Sequence, residues 1–409
     1  MKRKIILSTF LVMIGGPSFA FESTKTLPRG IRNLNIKGVY TSTSNKTDQN
    51  GQKISIADAL WKPLKYKNIL SSEENPLKRT QLQAFLLQQG LSKEQSVGDF
   101  KADLNAQINV WAPILGWGLT DTLTLAVAVP YYSTSTDIQP GFQTNAGADD
   151  FLARLTTPSM NNYGSALEAS EKFRDAIGRL NNKLTKYNFA QLTKWNQSGW
   201  GDTTLALKYR ALDQDVLKLA ATGGLVAPTG RLESPDILTD LPFGDGQWDI
   251  FSQLAIDQKM NDSVFFNQFI KYTFQANGQR RVAWKTFEES IEVPKNNTSF
   301  KLGDKIDAGI SIQFEQASSG LTGGLGALYF RKLGDRYKLS DIDSKNELQR
   351  NTDQNAEYIQ TKLGYTTLPA FKRKEFPLPV SISFEYRKQA QSRNLPVTDL
   401  AQMDLNLFF

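Results

Sequence analysis

Residues 397–409 read VTDLAQMDLNLFF. From Val397 the odd positions run Val397, Asp399, Ala401, Met403, Leu405, Leu407 and Phe409, with Thr398, Gln402, Asp404 and Asn406 between them. Successive side chains of a strand point to opposite faces, so this period of two predicts a strand with one largely apolar face and one polar face. The pattern recurs upstream. Residues 377–389 set Leu378, Val380, Ile382, Phe384 and Tyr386 against Ser381, Ser383, Glu385 and Arg387. Residues 304–314 set Ile306, Ala308, Ile310, Ile312 and Phe314 against Asp307, Ser311 and Gln313. Residues 247–257 set Trp248, Ile250, Leu254 and Ile256 against Gln247, Asp249, Gln253 and Asp257.

Read this way, the chain offers twelve candidate strands, at 31–44, 103–115, 121–133, 200–212, 215–228, 247–257, 263–275, 304–314, 321–332, 356–366, 377–389 and 397–409. They run 11 to 14 residues, about twice the ~5–6 of an ordinary globular strand. A tilted strand crossing a bilayer needs ~9–11. A secreted β-sandwich would bury the same apolar face in a core, but strand length favours a membrane. The connections decide the matter, because transmembrane barrels have short turns at the periplasmic end and long loops at the outer end. Here long and short connections alternate, and only the final pair breaks the order, with 367–376 outrunning 390–396. Aromatic residues gather at strand ends (Tyr131, Tyr132, Trp200, Phe265, Phe266, Tyr329, Phe330 and Tyr386) as interfacial girdles would. The expected fold is all-β, a transmembrane antiparallel β-barrel of about 12 strands over residues 21–409. Two long outer loops containing short helices, 45–102 and 134–199, are extracellular or fold inward as plugs. Both termini are expected in the periplasm.

Composition removes most alternatives. Among 409 residues there is no Cys and no His, which excludes thiol nucleophiles, disulfides, His-ligated metals and imidazole catalysis. No cofactor or metal is expected. The one long apolar run, residues 5–14, is too short to span a membrane as a helix. It follows Lys2, Arg3 and Lys4 and precedes Gly15-Gly16-Pro17 and Ser18-Phe19-Ala20, the three-part form of a secretory leader cut after Ala20. The formal net charge of +7 falls by three without that leader, too weak and dispersed for a nucleic-acid partner. The enzymatic tasks of outer-membrane barrels in their familiar forms rely on His. A Ser-Lys or paired-carboxylate mechanism survives its absence, but no short spacing promotes Asp202, Asp249 or Asp257 above structural charges, so a non-enzyme is expected.

The segment Gly199–Asp257 resembles the putative MetA-pathway of phenol degradation family of outer-membrane barrels, relatives of the long-chain fatty-acid transporter barrels. The motifs are GWGD at 199–202 followed by TTLALKYR, GGLVAPTGR at 223–231 and GDGQWDI at 244–250, with the hairpin GWGLTDTLTLAVAVPYY at 116–132. The resemblance covers roughly residues 100–260 and the C-terminal strands. It implies a barrel in the bacterial outer membrane that passes or binds small hydrophobic or aromatic compounds. Phe409, closing an alternating strand, also resembles the C-terminal signal read by the outer-membrane insertion machinery. Outer-membrane lipid and lipopolysaccharide are then the expected neighbours of the apolar face.

Candidate site residues follow from parity. Asp202 shares the face of Thr204, Lys208 and Arg210, opposite Leu205, Leu207 and Tyr209. On the same reasoning Asp249, Asp257, Asp307, Glu385 and Arg387 face the lumen. Such charges can form a solute-binding wall or simply hold the interior rigid. Helices are expected at 77–90 and at 165–183, the second behind the capping box Ser165-Ala166-Leu167-Glu168. Folded inward, they would offer apolar contacts at the mouth together with Trp195 and Trp200. Two functions remain open on the sequence: a channel for small hydrophobic compounds, or a surface barrel whose large loops bind partners.

Overall fold

Alternating residues can bury one face only by pairing into a sheet, and a sheet surrounded by lipid must close on itself. The computed structural model describes residues 23–73, 75–155, 166, 168–171, 175–283 and 295–409, and the expected leader lies outside them. Twelve strands form one closed antiparallel barrel. They are β1 (Arg32–Thr43), β2 (Ser96–Thr120), β3 (Leu123–Ala128 and Tyr131–Thr144), β4 (Trp195–Trp200 and Thr203–Asp213), β5 (Leu217–Ala227) and β6 (Asp249–Lys259). The other half is β7 (Val264–Gln275), β8 (Lys305–Glu315), β9 (Leu321–Lys332), β10 (Gln354–Thr366), β11 (Val380–Arg393) and β12 (Asp399–Phe408). Ile36 of β1 pairs with Leu405 of β12 on one side and Pro113 of β2 on the other, which seals the cylinder.

The outward positions are those the alternation assigned. Leu205, Leu207, Ile250, Leu254, Ile310, Ile312, Leu325, Ile359, Leu363, Ile382, Phe384, Met403 and Leu405 are all exposed apolar side chains of the strands. A belt of this kind is stable only against lipid, so the barrel spans a membrane. No helix among the described residues is long and apolar enough to cross one. Short turns gather at the end where β1 begins and β12 finishes. In one of them Asn261 accepts hydrogen bonds from the backbone N–H groups of Ser263 and Val264 (2.9 Å each), an Asx turn.

Strands β2 and β3 run longer than expected, because residues 96–102 and 134–144 continue the pairing from Gly98↔Thr144 to Trp111↔Tyr131. The outward face of β2 explains why. It is apolar at Trp111, Leu115 and Trp117 but polar at Asp103, Asn105, Gln107 and Asn109, all exposed, while Leu104, Ala106, Ile108 and Val110 are buried on the inner face. The ribbon therefore leaves the apolar belt and rises into water with its hydrophobic side turned in.

Above that level the long connections build a cap. Tyr66, Ile69 and Leu70 of α1 (Tyr66–Ser72) and Leu82, Phe85 and Leu86 of α2 (Pro76–Gln88) form one core with Phe151 of α3 (Ala146–Leu155), Ala166 and Ala169. Helix α2 matches the expectation at 77–90, and Asn75 caps it by accepting from Leu77 N–H (2.9 Å). In the second long loop α3 was not anticipated. The expected helix at 165–183 is helical at its described early residues, 166 and 168–171, and again in its later part, as α4 (Ala176–Lys186). Ser165 and Leu167 of its capping box lie outside the described residues.

Candidate functional site

Among the described residues the wall of the barrel is interrupted at the junctions of β3 and β4. Pro130 lacks the N–H of a ladder residue, and its carbonyl accepts from Gly201 N–H (2.8 Å). Below this point β4 pairs with β5, from Thr203↔Ala227 to Asp213↔Lys218. Above it Trp195–Trp200 pairs only with β3 among the described strands, from Tyr131↔Trp200 to Thr136↔Trp195. The segment 228–248, between β5 and β6, covers the inner side of this break. Thr136 donates to the Thr239 carbonyl (2.9 Å), and Trp195 Nε1 donates to Asp240 Oδ1 (3.2 Å). The Phe243 ring stacks on Tyr132 with centroids 5.5 Å apart.

Asp202 fastens that segment. Its carboxylate accepts from Gly230 N–H (2.8 Å) and Asp245 N–H (3.1 Å). The segment also carries its own ion pair, Arg231 with Asp240 at 2.7 Å. Asp245 and Asp249 then converge on buried Lys305, at 4.0 and 3.5 Å, and both accept from Gln275 Nε2 (3.2 Å). Burial, with Asp249 close by, pushes the Asp245 carboxyl up to about 7.

Inside, the lumen is divided by chemistry. Its long-loop half is apolar on two sides. On one, Leu104, Ala106, Ile108, Val110 and Tyr132 meet Leu184 of α4 and the loop residues Phe189, Leu192, Leu241 and Phe243. On the other, Ala255, Phe269, Leu328, Phe330, Ala356 and Tyr358 form a second cluster. Charged, amide and hydroxyl groups occupy many of the other inward positions. Arg387 Nε donates to Glu385 Oε1 (2.8 Å), Gln402 to Asp404 (2.6 Å), and Lys37 lies 3.8 Å from Asp404. Lys271 Nζ sits over the Phe251 ring (4.6 Å) and its residue is the direct cross-strand neighbour of Asp307. A charge removed from water this far is tolerated only with such partners.

The structure thus places Asp202, Asp249, Asp257, Asp307, Glu385 and Arg387 buried on the inner side, with Lys208 and Arg210 half-buried. It brings Asp202 and Asp249 together through Asp245, and pairs Glu385 with Arg387. Lys208 and Asp257 meet residues 23 and 24 of the N-terminal segment instead. Trp195 is half-buried against segment 228–248, but Trp200 is 57% exposed and packs on Tyr131 (5.0 Å) on the outer face. Trp200 thus sits where the girdle reading put it, whereas Tyr132 and Phe330, also expected in the girdle, are buried inside. Sequence reasoning passed over Lys305, Asn267, Phe269, Lys271 and Gln275, although each shares the inward parity of its strand. Thr24, Phe243 and Asp245 gave no periodic signal. Among the described residues no group of acidic side chains is placed to hold a metal ion.

No protein-family model and no curated protein sequence matches this chain. Its fold is similar to that of an outer membrane channel from Pseudomonas putida F1, at 12% identity and a TM-score of 0.52 over 96% of this chain and 99% of that one. Weaker similarity extends to a Pseudomonas aeruginosa FadL homologue (10% identity, TM-score 0.36, 98% and 95% of the two chains). It extends equally to the Ralstonia pickettii toluene transporter TbuX (10% identity, TM-score 0.36, 94% and 90%). The solved outer-membrane barrel of Pseudomonas putida agrees with the fold that the motifs at 116–132 and 199–257 imply.

Proposed function

We propose that this chain is a channel of the bacterial outer membrane for small hydrophobic compounds, aromatic ones among them. The observation that carries the reading is the apolar lining of the long-loop half of the lumen, from Leu104, Ile108 and Phe243 on one side to Phe269, Phe330 and Tyr358 on the other. A barrel built for hydrated solutes keeps its interior polar; a concave surface of aliphatic and aromatic side chains with a few fixed polar groups suits an apolar ligand. The fold shared with a Pseudomonas putida outer membrane channel supports the same use of the barrel. In this reading the short-turn end is periplasmic, residues 1–20 are a leader, and lipid and lipopolysaccharide surround the outward belt. Asp202, Lys208, Arg210, Asp249, Asp257, Asp307, Glu385 and Arg387 line the wall.

A second reading rests on the joint core of α1, α2 and α3, which ties the two long loops into one cap. There the barrel is a pedestal and the cap binds a partner. Purified protein in a planar bilayer separates the two, measured with and without residues 140–195. Conductance that rises on deletion and is blocked by toluene-like compounds supports the channel. Silence in both forms, with unchanged uptake of such compounds by deletion cells, leaves the pedestal.

A further inference from the structure

The connection that broke the order of long and short, 367–376, lies at the short-turn end between β10 and β11. Its stem is closed tightly. Thr367 N–H donates to the Val380 carbonyl (2.8 Å), Val380 N–H to Thr367 Oγ1 (2.9 Å), and the Thr367 hydroxyl to the Leu378 carbonyl (2.6 Å). Leu368–Lys372 then makes one helical turn. It ends in a Schellman motif, with Lys374 N–H on the Phe371 carbonyl and Glu375 N–H on that of Ala370 (2.9 Å each). Among the described residues, 368–378 make no hydrogen bond or ion pair outside this stem.

What the connection exposes is both apolar and cationic. Phe371, Phe376 and Leu378 are exposed, and between them runs Lys372-Arg373-Lys374. Leu378 continues the outward column of Ile382 and Phe384, and the charge of Arg373 reaches the Tyr365 hydroxyl on the outward face of β10. The connection therefore sits at the lipid-facing rim. Other short turns differ in charge: those at 121–122, 213–216 and 260–263 carry Asp121, Asp213, Asp215 and Asp262. Cations beside them are paired, Lys218 with Asp213 (2.7 Å) and Lys259 with Asp215 (3.2 Å) and Asp262 (2.9 Å). At 372–374 only Arg373 has an acidic partner, the exposed Glu375 (2.8 Å); Lys372 and Lys374 have none among the described residues. Lys374 also stands at φ +62°, where the other three non-glycine residues of positive φ are Asn. Gly would close the Schellman motif with less strain, so the turn itself does not account for a Lys there.

We propose that residues 368–378 are a docking site for anionic phospholipid at the rim of the short-turn end. Phe371, Phe376 and Leu378 enter the interface, and Lys372, Arg373 and Lys374 hold the phosphate groups. Exposed apolar side chains beside a wall already embedded in lipid meet lipid first, and Lys and Arg lay their stems on apolar surface while their charges reach the headgroups. A basic cluster at a membrane surface concentrates anionic lipid. That the lipid belongs to the periplasmic leaflet rests on the placing of the short turns given above; the docking does not, and whole-cell labelling of segment 229–246 tests that placing separately.

Because the chain has no native Cys, the full-length protein can carry Pro377→Cys with an environment-sensitive fluorophore, in vesicles of phosphatidylethanolamine and phosphatidylglycerol. Traces of either lipid bearing a headgroup nitroxide then report which one collects at the label. The phosphatidylglycerol nitroxide should quench at least about threefold more strongly than the phosphatidylethanolamine one at equal mole fraction, and the preference should shrink in high salt. Replacing Lys372, Arg373 and Lys374 together by Gln should bring the ratio to about one. Lys374→Gly relieves the backbone, so a purely structural Lys would leave the ratio unchanged; the proposal requires it to fall. The same label in Gln214→Cys, between Asp213 and Asp215, should show no preference. A ratio of about one in the parent protein, an equal preference at position 214, or a preference that survives the triple Gln substitution overturns the proposal. Absence of quenching by both lipids overturns it too, and leaves the connection standing free of the membrane.

Discussion

Replacing Asp202 by Ala tests what holds segment 228–248 over the break in the wall. The carboxylate receives two backbone N–H groups, from Gly230 at 2.8 Å and Asp245 at 3.1 Å. Hydrogen bonds to a charged acceptor contribute roughly 1.5–3 kcal/mol each, and the orphaned donors in a buried site add their own desolvation penalty. Part of that loss is recovered when the freed segment meets water, so the docked state should weaken by about 3–5 kcal/mol. At ~1.4 kcal/mol per tenfold, undocked segments become about 10² to several times 10³ more common. Trypsin reads this directly, because Arg231 is held by Asp240 at 2.7 Å and by its stacking over Phe243, and a protease cleaves only what opens. Cleavage after Arg231 should accelerate in Asp202→Ala, with the barrel itself intact by heat-modifiable mobility. Asp202→Asn should fall between, since an amide oxygen accepts one of the two donors while its NH₂ opposes the other. Cleavage of Asp202→Ala at the unmodified rate would refute the reasoning and leave the Arg231–Asp240 pair and the Tyr132–Phe243 stack as the fastening.

The remaining expectations address charge, topology and assembly. The Asp245 carboxyl, raised to about 7 from an unfolded value of ~3.9, binds its proton more tightly in the docked segment than in the free one. Docking is therefore strongest at acid pH, weakens as pH climbs between those values and is weakest above 7; cleavage after Arg231, corrected with an unstructured peptide, should rise over that range and flatten in Asp245→Asn. Glu385→Gln removes the charge-assisted hydrogen bond that the buried Arg387 guanidinium makes at 2.8 Å, which should lower stability by about 1.5–3 kcal/mol in the thermal loss of the folded gel band, with partial recovery on adding Arg387→Gln. A Cys placed in segment 229–246 should react with an impermeant reagent on whole cells while one at Gln214 should not, and the opposite labelling would invert the barrel in its membrane. Deleting Leu407–Phe409 removes β12 positions that pair with β1 and β11, each apolar side chain contributing roughly 1.5–3 kcal/mol against lipid; the truncated chain should remain in periplasmic aggregates, and a heat-modifiable inserted form would refute the role given to Phe409.

The barrel was legible because its strands obey one rule along their membrane segments. Wherever lipid lies outside and polar groups inside, as in β8 and β11, parity alone assigns Ile310 outward and Asp307 inward. The rule fails where the surroundings change along a single strand. In β2 the outward face turns from Trp111 to Asn109 within one step of two, because water replaces lipid there, and the inner face takes up the hydrophobes of the folded loops. Trp200 was read two ways for a related reason, since a large aromatic beside a long loop reads equally as a girdle residue or a mouth contact. Which it is depends on the side of the break at Gly201–Asp202. Contacts such as Thr24 with Asp257 join residues 233 positions apart, and no local period records them.

The glycine-rich motifs carry more of this information than their local reading allowed. GWGD at 199–202 and GDG at 244–246 read locally as backbone freedom at strand ends. In the structure Gly199 lies under the Phe243 ring, a Cβ at Gly201 would run into the Tyr132 ring, and one at Gly230 would come 2.6 Å from the Phe243 carbonyl oxygen. Gly244 faces the Asp202 carboxylate equally closely. Gly116 and Gly118 do for the N-terminal segment what these four do for segment 228–248. At Gly116, Gly118, Gly199 and Gly201 the missing side chain is on the inner face of the wall, where a non-strand segment presses against it, while Gly230 and Gly244 make the matching room within segment 228–248. A barrel that only needed to span a membrane could fill those inward positions with ordinary side chains, as it does at Leu104 or Phe269. Their removal at two separate places marks where the wall receives a non-strand segment, residues 228–248 at the break in β3 and β4 and residues 27–28 beside Gly116 and Gly118.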